Sequence, residues 1–205
     1  RAYSHLARSA RRDECSFLPW TGDYRFMKFI ELELPGVWLI EPEVFTDERG
    51  AFRRHFCTEE FAVHGLAPMA VQGNLSENLH HGTLRGLHYQ IGPDAEAKTL
   101  SCMTGSLYDI ILDLRPESPT FMQWVSVEIS AEDRLSLHVP AGCPNGWVTT
   151  SPNTMIHYYM SEMFAPEAAR GIRYDDPTFD FRWPIEPKVI SERDRTFPDF
   201  DPGSE

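Results

Sequence analysis

Between residues 105 and 160 the chain is a succession of short β-type runs with no helical pattern between them. The runs at 105–115, 123–129, 135–140, 146–150 and 154–160 are near the usual strand length of about five to eight residues. They are separated by turn chemistry: Pro116-Glu117-Ser118-Pro119-Thr120, Ala131-Glu132-Asp133, Ala141-Gly142-Cys143-Pro144-Asn145 and Ser151-Pro152-Asn153. Strands repeated at this spacing predict an all-β, antiparallel sandwich or barrel. Upstream, residues 29–42 contain two short runs broken at Pro35-Gly36, a strand–turn–strand signal. Residues 45–56 alternate charges with aromatics, and Thr58 is placed to cap a short helix with Glu59 and Glu60 in its first turn. Residues 1–26 show no sustained period and are expected to form a poorly ordered N-terminal extension, leaving 27–205 as one domain. From Gly171 onward the text is rich in Pro, Asp and aromatics, and is expected to form loops and short peripheral helices packed on the sandwich.

Composition narrows the partners. A formal net charge of -12 argues against nucleic acid or anionic lipid, since both are gripped through many Lys and Arg contacts to phosphate. Cys15, Cys57, Cys102 and Cys143 lack metal-type spacing, and a chain of this size needs no disulfide staples, so free thiols in a cytoplasmic protein are expected. No apolar run approaches the ~20 residues of a membrane helix.

The densest chemistry lies at residues 72–90, which include Gln72, Asn74, His80, His81, Arg85, Gly86 and His88. On a regular strand Arg85 and His88 point to opposite faces, but a glycine inside a strand often marks a bulge, and Gly86 lies between them. An imidazole moves protons near neutral pH, and an arginine beside it can clamp a phosphate or carboxylate. This combination suggests acid–base chemistry on an anionic ligand. From the residue types alone, a polar strand with one hydrogen-bonded histidine fits equally well.

Taken with Phe45-x-Asp47-x-Arg49-Gly50, Leu114-Arg115-x-x-Ser118-Pro119-Thr120, Pro140-x-Gly142, Asp175-Asp176-Pro177 and Trp183-Pro184, this stretch resembles the dTDP-4-dehydrorhamnose 3,5-epimerase family, collinearly from about Met27 to Pro198. The resemblance implies a cupin-like jelly-roll sandwich, a homodimer, and a nucleotide-diphosphate sugar substrate carrying a 4-keto-6-deoxyhexose. It implies His88 as the base that removes a proton beside the ketone, Asp176 as the carboxylate orienting it, Lys98 near the enolate oxygen and Tyr158 as a site tyrosine. Arg85 matches a substrate-site arginine. Arg49, Gln72 and Asn74 match positions that hold the nucleotide and its phosphates, with Arg49 reaching across the dimer. No metal or redox cofactor is required by this route.

Three positions depart from the family pattern. Asn145 stands where a site histidine is expected, Arg54 where an acid is expected, and Phe164 where a tyrosine would return a proton from the opposite face. Phenylalanine donates no proton. Tyr159 or water would then have to serve, or only one carbon is inverted, or turnover is lost. A non-catalytic sugar-nucleotide-binding protein is therefore one alternative. A metal-dependent cupin is another, although His80 and His81 are adjacent and would point apart on a strand. The nucleotide base and the exact hexose are not readable from the residues.

Overall fold

The computed structural model describes residues 26–66 and 70–203. The extension expected at residues 1–26 lies outside these, apart from Phe26. In chain order the strands are β1 (Met27–Glu31), β2 (Trp38–Pro42), β3 (Val44–Asp47), β4 (Gly50–Arg53), β5 (Gln72–Asn78), β6 (Thr83–Gln90), β7 (Lys98–Thr104), β8 (Ser106–Leu112), β9 (Trp124–Ser130), β10 (Ser136–Val139), β11 (Asn145–Thr149), β12 (Thr154–Met160), β13 (Ala169–Gly171) and β14 (Val189–Ile190). The α-helices are α1 (Thr58–Val63), between β4 and β5, and α2 (Glu192–Arg195), after β14.

Two sheets face each other. The first has the order β1-β2-β10-β7-β12-β5, and the second β13-β6-β11-β8-β9; β14 pairs in parallel with β6, while every other pairing is antiparallel. This is the expected all-β sandwich. Pro35-Gly36 makes the β1–β2 turn, with Gly36 at φ 81°. The cap of α1 falls one residue ahead of Thr58, on Cys57, whose side chain makes no capping bond.

Side-chain alternation divides the apolar residues among three layers. Leu100, Leu107, Ile111, Ile129, Leu137, Val148 and Ile156 are buried, and all but Val148 belong to the core between the sheets. Leu87, Tyr89, Ile110 and Leu112 point outward from the second sheet and are covered by the C-terminal segment through Ile172, Phe179, Trp183 and Phe200. On the outer side of the first sheet, Ile40 and Met27 pack under Phe61 of α1. The turn after β8 is fastened by Asp113, whose carboxylate accepts from Arg115, Ser118 and Thr120.

The bulge anticipated at Gly86 is present. In the β6–β11 pairing, Asn145 lies opposite His88 and Trp147 opposite Arg85, so Gly86 and Leu87 together face Gly146 alone. Two residues against one turn Arg85 and His88 to the same side. The strands approach so closely that a Cβ on Gly86 would lie 2.6 Å from the Gly146 Cα and 2.7 Å from the Asn145 carbonyl oxygen, at a φ of 109°. A Gly86→Ala substitution is expected to cost about 2–5 kcal/mol, the sum of left-handed backbone strain and overpacking, measured by urea unfolding.

Candidate active site

A cleft of about 270 Å³ opens at one end of the sandwich interior. Its walls come from both sheets. Gln72, Asn74, Lys98, Tyr158 and Met160 line it from the first sheet, and His88, Asn145 and Trp147 from the second. Their positions follow from alternation: 72 and 74, 158 and 160, 145 and 147 share faces, and the bulge puts His88 with Asn145. Phe164 and Arg170 enter from the segment after β12, and Arg193 from α2.

His88 Nε2 lies 2.7 Å from Asp194 Oδ1. Three local features put the carboxylate there. Strand β14 pairs with Thr83 and Leu84, bringing the following residues alongside β6. Ser191 caps α2 by accepting the Asp194 N–H, which fixes the first turn. The other carboxylate oxygen accepts the Gly86 N–H at 3.3 Å. Gly171, opposite His88 on β13, leaves room for the Phe197 ring, which stands edge-on to the imidazole. Burial acts to raise the Asp194 carboxyl, but the hydrogen bonds and charge of His88, the Gly86 N–H and Ser191 outweigh it and hold the group below its ordinary value. An ionised carboxylate only accepts, so Nε2 carries the proton and the Nδ1 lone pair is free to take another.

The expectation that Asp176 orients His88 is not met. Asp176 is buried, but its carboxylate accepts the backbone N–H groups of Thr178 at 2.9 Å and Phe200 at 2.6 Å. It closes an Asx turn and ties down the C-terminal segment. The sequence reading missed Asp194, whose place three residues after Ser191 reads as a helix-capping pattern and not as a site. It also missed Glu96, Met160, Trp147, Arg170 and Arg193, which line the cleft.

Of the other expected residues, Lys98 lines the cleft and is held by Glu96 at 2.5 Å and by the His88 carbonyl at 3.1 Å. Gln72 donates to Asn74 at 3.0 Å and accepts the Phe164 backbone N–H, so the rim and the first sheet are linked. Phe164 is half exposed there. Tyr158 faces the cleft from the first sheet, and burial holds its phenol above the ordinary value, with Arg85 opposing and Glu96 reinforcing. Tyr159, the alternative acid, lies on the outer face with His55 and His157. Asn145 is buried, and its amide bridges to both oxygens of Asp109.

Arg85 lies beside the cleft, its guanidinium held by Asn78 Oδ1 and the Glu77 carbonyl. Arg49 does not line the cleft of its own chain; on the exposed β3–β4 hairpin it pairs with Asp47. Arg54 pairs with Glu60 at 2.7 Å and covers the Phe26 ring, so its charge is absorbed structurally. Among the described residues no group of three His, Cys, Asp or Glu side chains is placed to hold a metal ion, and no helix is long and apolar enough to cross a membrane.

A double-sheet sandwich of this topology, with a histidine–carboxylate pair in its interior cleft, is a cupin-like β-sandwich enzyme. Within that class the chain belongs to the dTDP-4-dehydrorhamnose 3,5-epimerase family, whose sequence profile matches residues 31–202. It is 38% identical over 173 residues to a dTDP-4-dehydrorhamnose 3,5-epimerase of Sinorhizobium fredii, covering 84% of this chain and 89% of that one. The crystal structure of the Bacillus anthracis dTDP-4-dehydrorhamnose 3,5-epimerase with TDP and PPi bound superimposes with a TM-score of 0.82 at 35% identity, covering 85% of this chain and 99% of that one. A 3'-monoepimerase from Streptomyces bikiniensis in complex with dTDP-quinovose gives a TM-score of 0.76 at 31% identity, covering 82% and 85%.

The His88–Asp194 pair has a consequence for acid stability. A carboxyl whose folded value is depressed contributes its full stability above its unfolded value and loses it as the pH falls through the folded value. Urea unfolding midpoints of the parent and Asp194→Asn should therefore differ at neutral pH and converge below the ordinary carboxylate value of 3.8.

Proposed function

We propose that this chain epimerises a thymidine-diphosphate-linked 4-keto-6-deoxyhexose by removing and returning a proton on carbon next to the ketone. The single observation that carries this reading is the placement of His88, backed by Asp194, on one wall of a cleft whose other wall presents Lys98 and Tyr158. A proton beside a ketone is removable when a base meets it and the developing enolate oxygen meets a cation or a donor. In this reading His88 Nδ1 takes the proton, Asp194 stabilises the imidazolium, and Lys98 meets the enolate oxygen. Tyr158, kept as a neutral phenol, returns a proton to the opposite face. Gln72, Asn74, Arg85 and Asn145 hold the nucleotide and sugar, with Phe164 at the rim. Phe164 supplies no second phenol, and the similarity to a 3'-monoepimerase makes inversion at one carbon an outcome to be distinguished from inversion at two.

The test follows deuterium incorporation at both carbons flanking the ketone, together with product stereochemistry, using dTDP-4-keto-L-rhamnose in deuterated buffer. His88→Asn should abolish exchange and inversion. Asp194→Asn should lower both by about 10²-fold or more, as loss of a positioned acid–base group does, whereas Asp176→Asn should leave turnover of the folded protein near that of the parent. Tyr158→Phe should retain exchange and lose inversion. Absence of exchange in the parent with substrate bound would sink the enzymatic reading and favour a binding protein.

The same reading makes the protein a cytoplasmic homodimer in which Arg49 serves the partner's cleft, which fits its exposed position on a hairpin away from its own. Mixing inactive His88→Asn with inactive Arg49→Ala subunits should restore activity that neither shows alone, because one cleft of the mixed dimer is intact. Failure to recover activity in proven mixed dimers, or a monomer by sedimentation, would contradict it.

A further inference from the structure

We infer that Glu96 is a positioning residue that aims Lys98 into the cleft. The inference rests on the function proposed above, and its starting point is geometric. Lys98 opens β7, and an ammonium group on a four-carbon stem is mobile unless something holds it. Here two anchors hold it: Glu96 Oε1 at 2.5 Å and the carbonyl of His88 at 3.1 Å. An ammonium has three N–H donors, so two are taken and one is left for a ligand oxygen. The second anchor belongs to the residue that carries the base, which sets the ammonium in a definite relation to the imidazole.

Glu96 is itself fixed. Its Oε2 accepts the Gln90 backbone N–H at 2.9 Å, and Gln90 in turn binds the Ala165 N–H and the carbonyls of Asp94 and Met163. The Glu96 side chain is only 2% exposed and that of Lys98 12%, so the pair is largely shielded from bulk water. A carboxylate in such a place needs both a charge partner and hydrogen bonds, and it has them.

No competing tether displaces this one. Asp109 projects toward the same region from β8, but it is wholly buried, and burial favours its uncharged form. Cys143 is buried and burial keeps its thiol protonated. Tyr158 stands on β12, next to β7 on the same wall of the cleft as Lys98, and His88 presents its carbonyl to Lys98 from the second sheet. Glu96 is therefore the one anionic partner in contact with Lys98 among the described residues.

Glu96→Gln is the informative variant because the amide keeps an acceptor for the Gln90 N–H and removes the charge. With dTDP-4-keto-L-rhamnose in deuterated buffer, it should lower kcat for exchange on the order of 10- to 100-fold, the effect of losing alignment at a reacting centre, while the Kd for thymidine diphosphate is unchanged. Lys98→Met should lower exchange at least as far, and adding Glu96→Gln to it should cause no further loss, because Glu96 acts through Lys98. Multiplying losses, or thymidine diphosphate binding weakened as much as turnover, would assign Glu96 a structural role and overturn the inference.

Lys98→Met leaves an unpaired buried carboxylate and can fail to fold, so a second readout needs neither that variant nor activity. Competitive acetylation with acetic anhydride, read by mass spectrometry, should show Lys98 labelled faster in Glu96→Gln than in the parent. Equal labelling would overturn the tether even if the parent is active. Faster labelling of Glu96→Gln than of the parent, together with a parent that shows no exchange, would uphold the tether and reject the enzymatic reading.

Discussion

The pairing of two β6 residues, Gly86 and Leu87, against the single Gly146 of β11 is the constraint on which the site depends. Strand periodicity is strict, so without that irregularity Arg85 and His88 would face opposite sides. Neither glycine can gain a methyl group there: a Cβ on Gly146 would meet the Arg85 carbonyl oxygen at 2.9 Å and the Leu87 Cα at 3.0 Å. The bulge frees the Gly86 N–H from the ladder, and Asp194 accepts it. A local defect in sheet pairing thus both turns the imidazole into the cleft and supplies part of the seat for its carboxylate.

Around this point the sandwich places polar groups where an ordinary core would place aliphatic ones. Asp109, Asp113, Glu96 and Asp194 are all buried, and each has hydrogen-bond partners. Their surroundings separate their roles by charge state. Hydrogen bonds from Arg115, Ser118 and Thr120 overcome the burial of Asp113 and hold it well below the ordinary carboxylate range, which suits a structural clasp. Asp109, opposed by the Asn145 amide and the Lys98 charge, is still pushed well above that range by burial. Asp194 lies on the ionised side because His88 faces it. The same functional group is a clasp, a neutral acid or an imidazole partner according to what donates to it.

The C-terminal segment completes the architecture. Residues from Ile172 to Phe200 cover the outer face of the second sheet, and β14 returns along β6 to deliver α2. Asp176 secures this path through the Thr178 and Phe200 amides, so its contribution to the site is indirect: it holds the segment that carries Asp194. The chain is similar both to a dTDP-4-dehydrorhamnose 3,5-epimerase and to a 3'-monoepimerase, and in it Phe164 stands at the rim of the cleft while Asn145 is buried in the wall.

The sequence by itself determined the β class, the turns that separate the strands and the position of the bulge, because these depend on alternation, glycine and turn chemistry, which are local. It also marked His88, Lys98, Tyr158, Gln72 and Asn74, which the two sheets bring to one cleft. Only the tertiary structure decided which carboxylate meets His88. Asp176 and Asp194 lie 88 and 106 residues from it along the chain, and nothing in their neighbours' identities ranks one above the other as a partner. The choice is made by the parallel pairing of β14 with β6, a contact between segments far apart in sequence, which sets α2 against the imidazole and leaves Asp176 to two backbone amides. The Glu96–Lys98 pair was hidden for the same kind of reason. Glu96 and Lys98 are two residues apart in the chain, but it is their burial in the fold that makes them a desolvated pair.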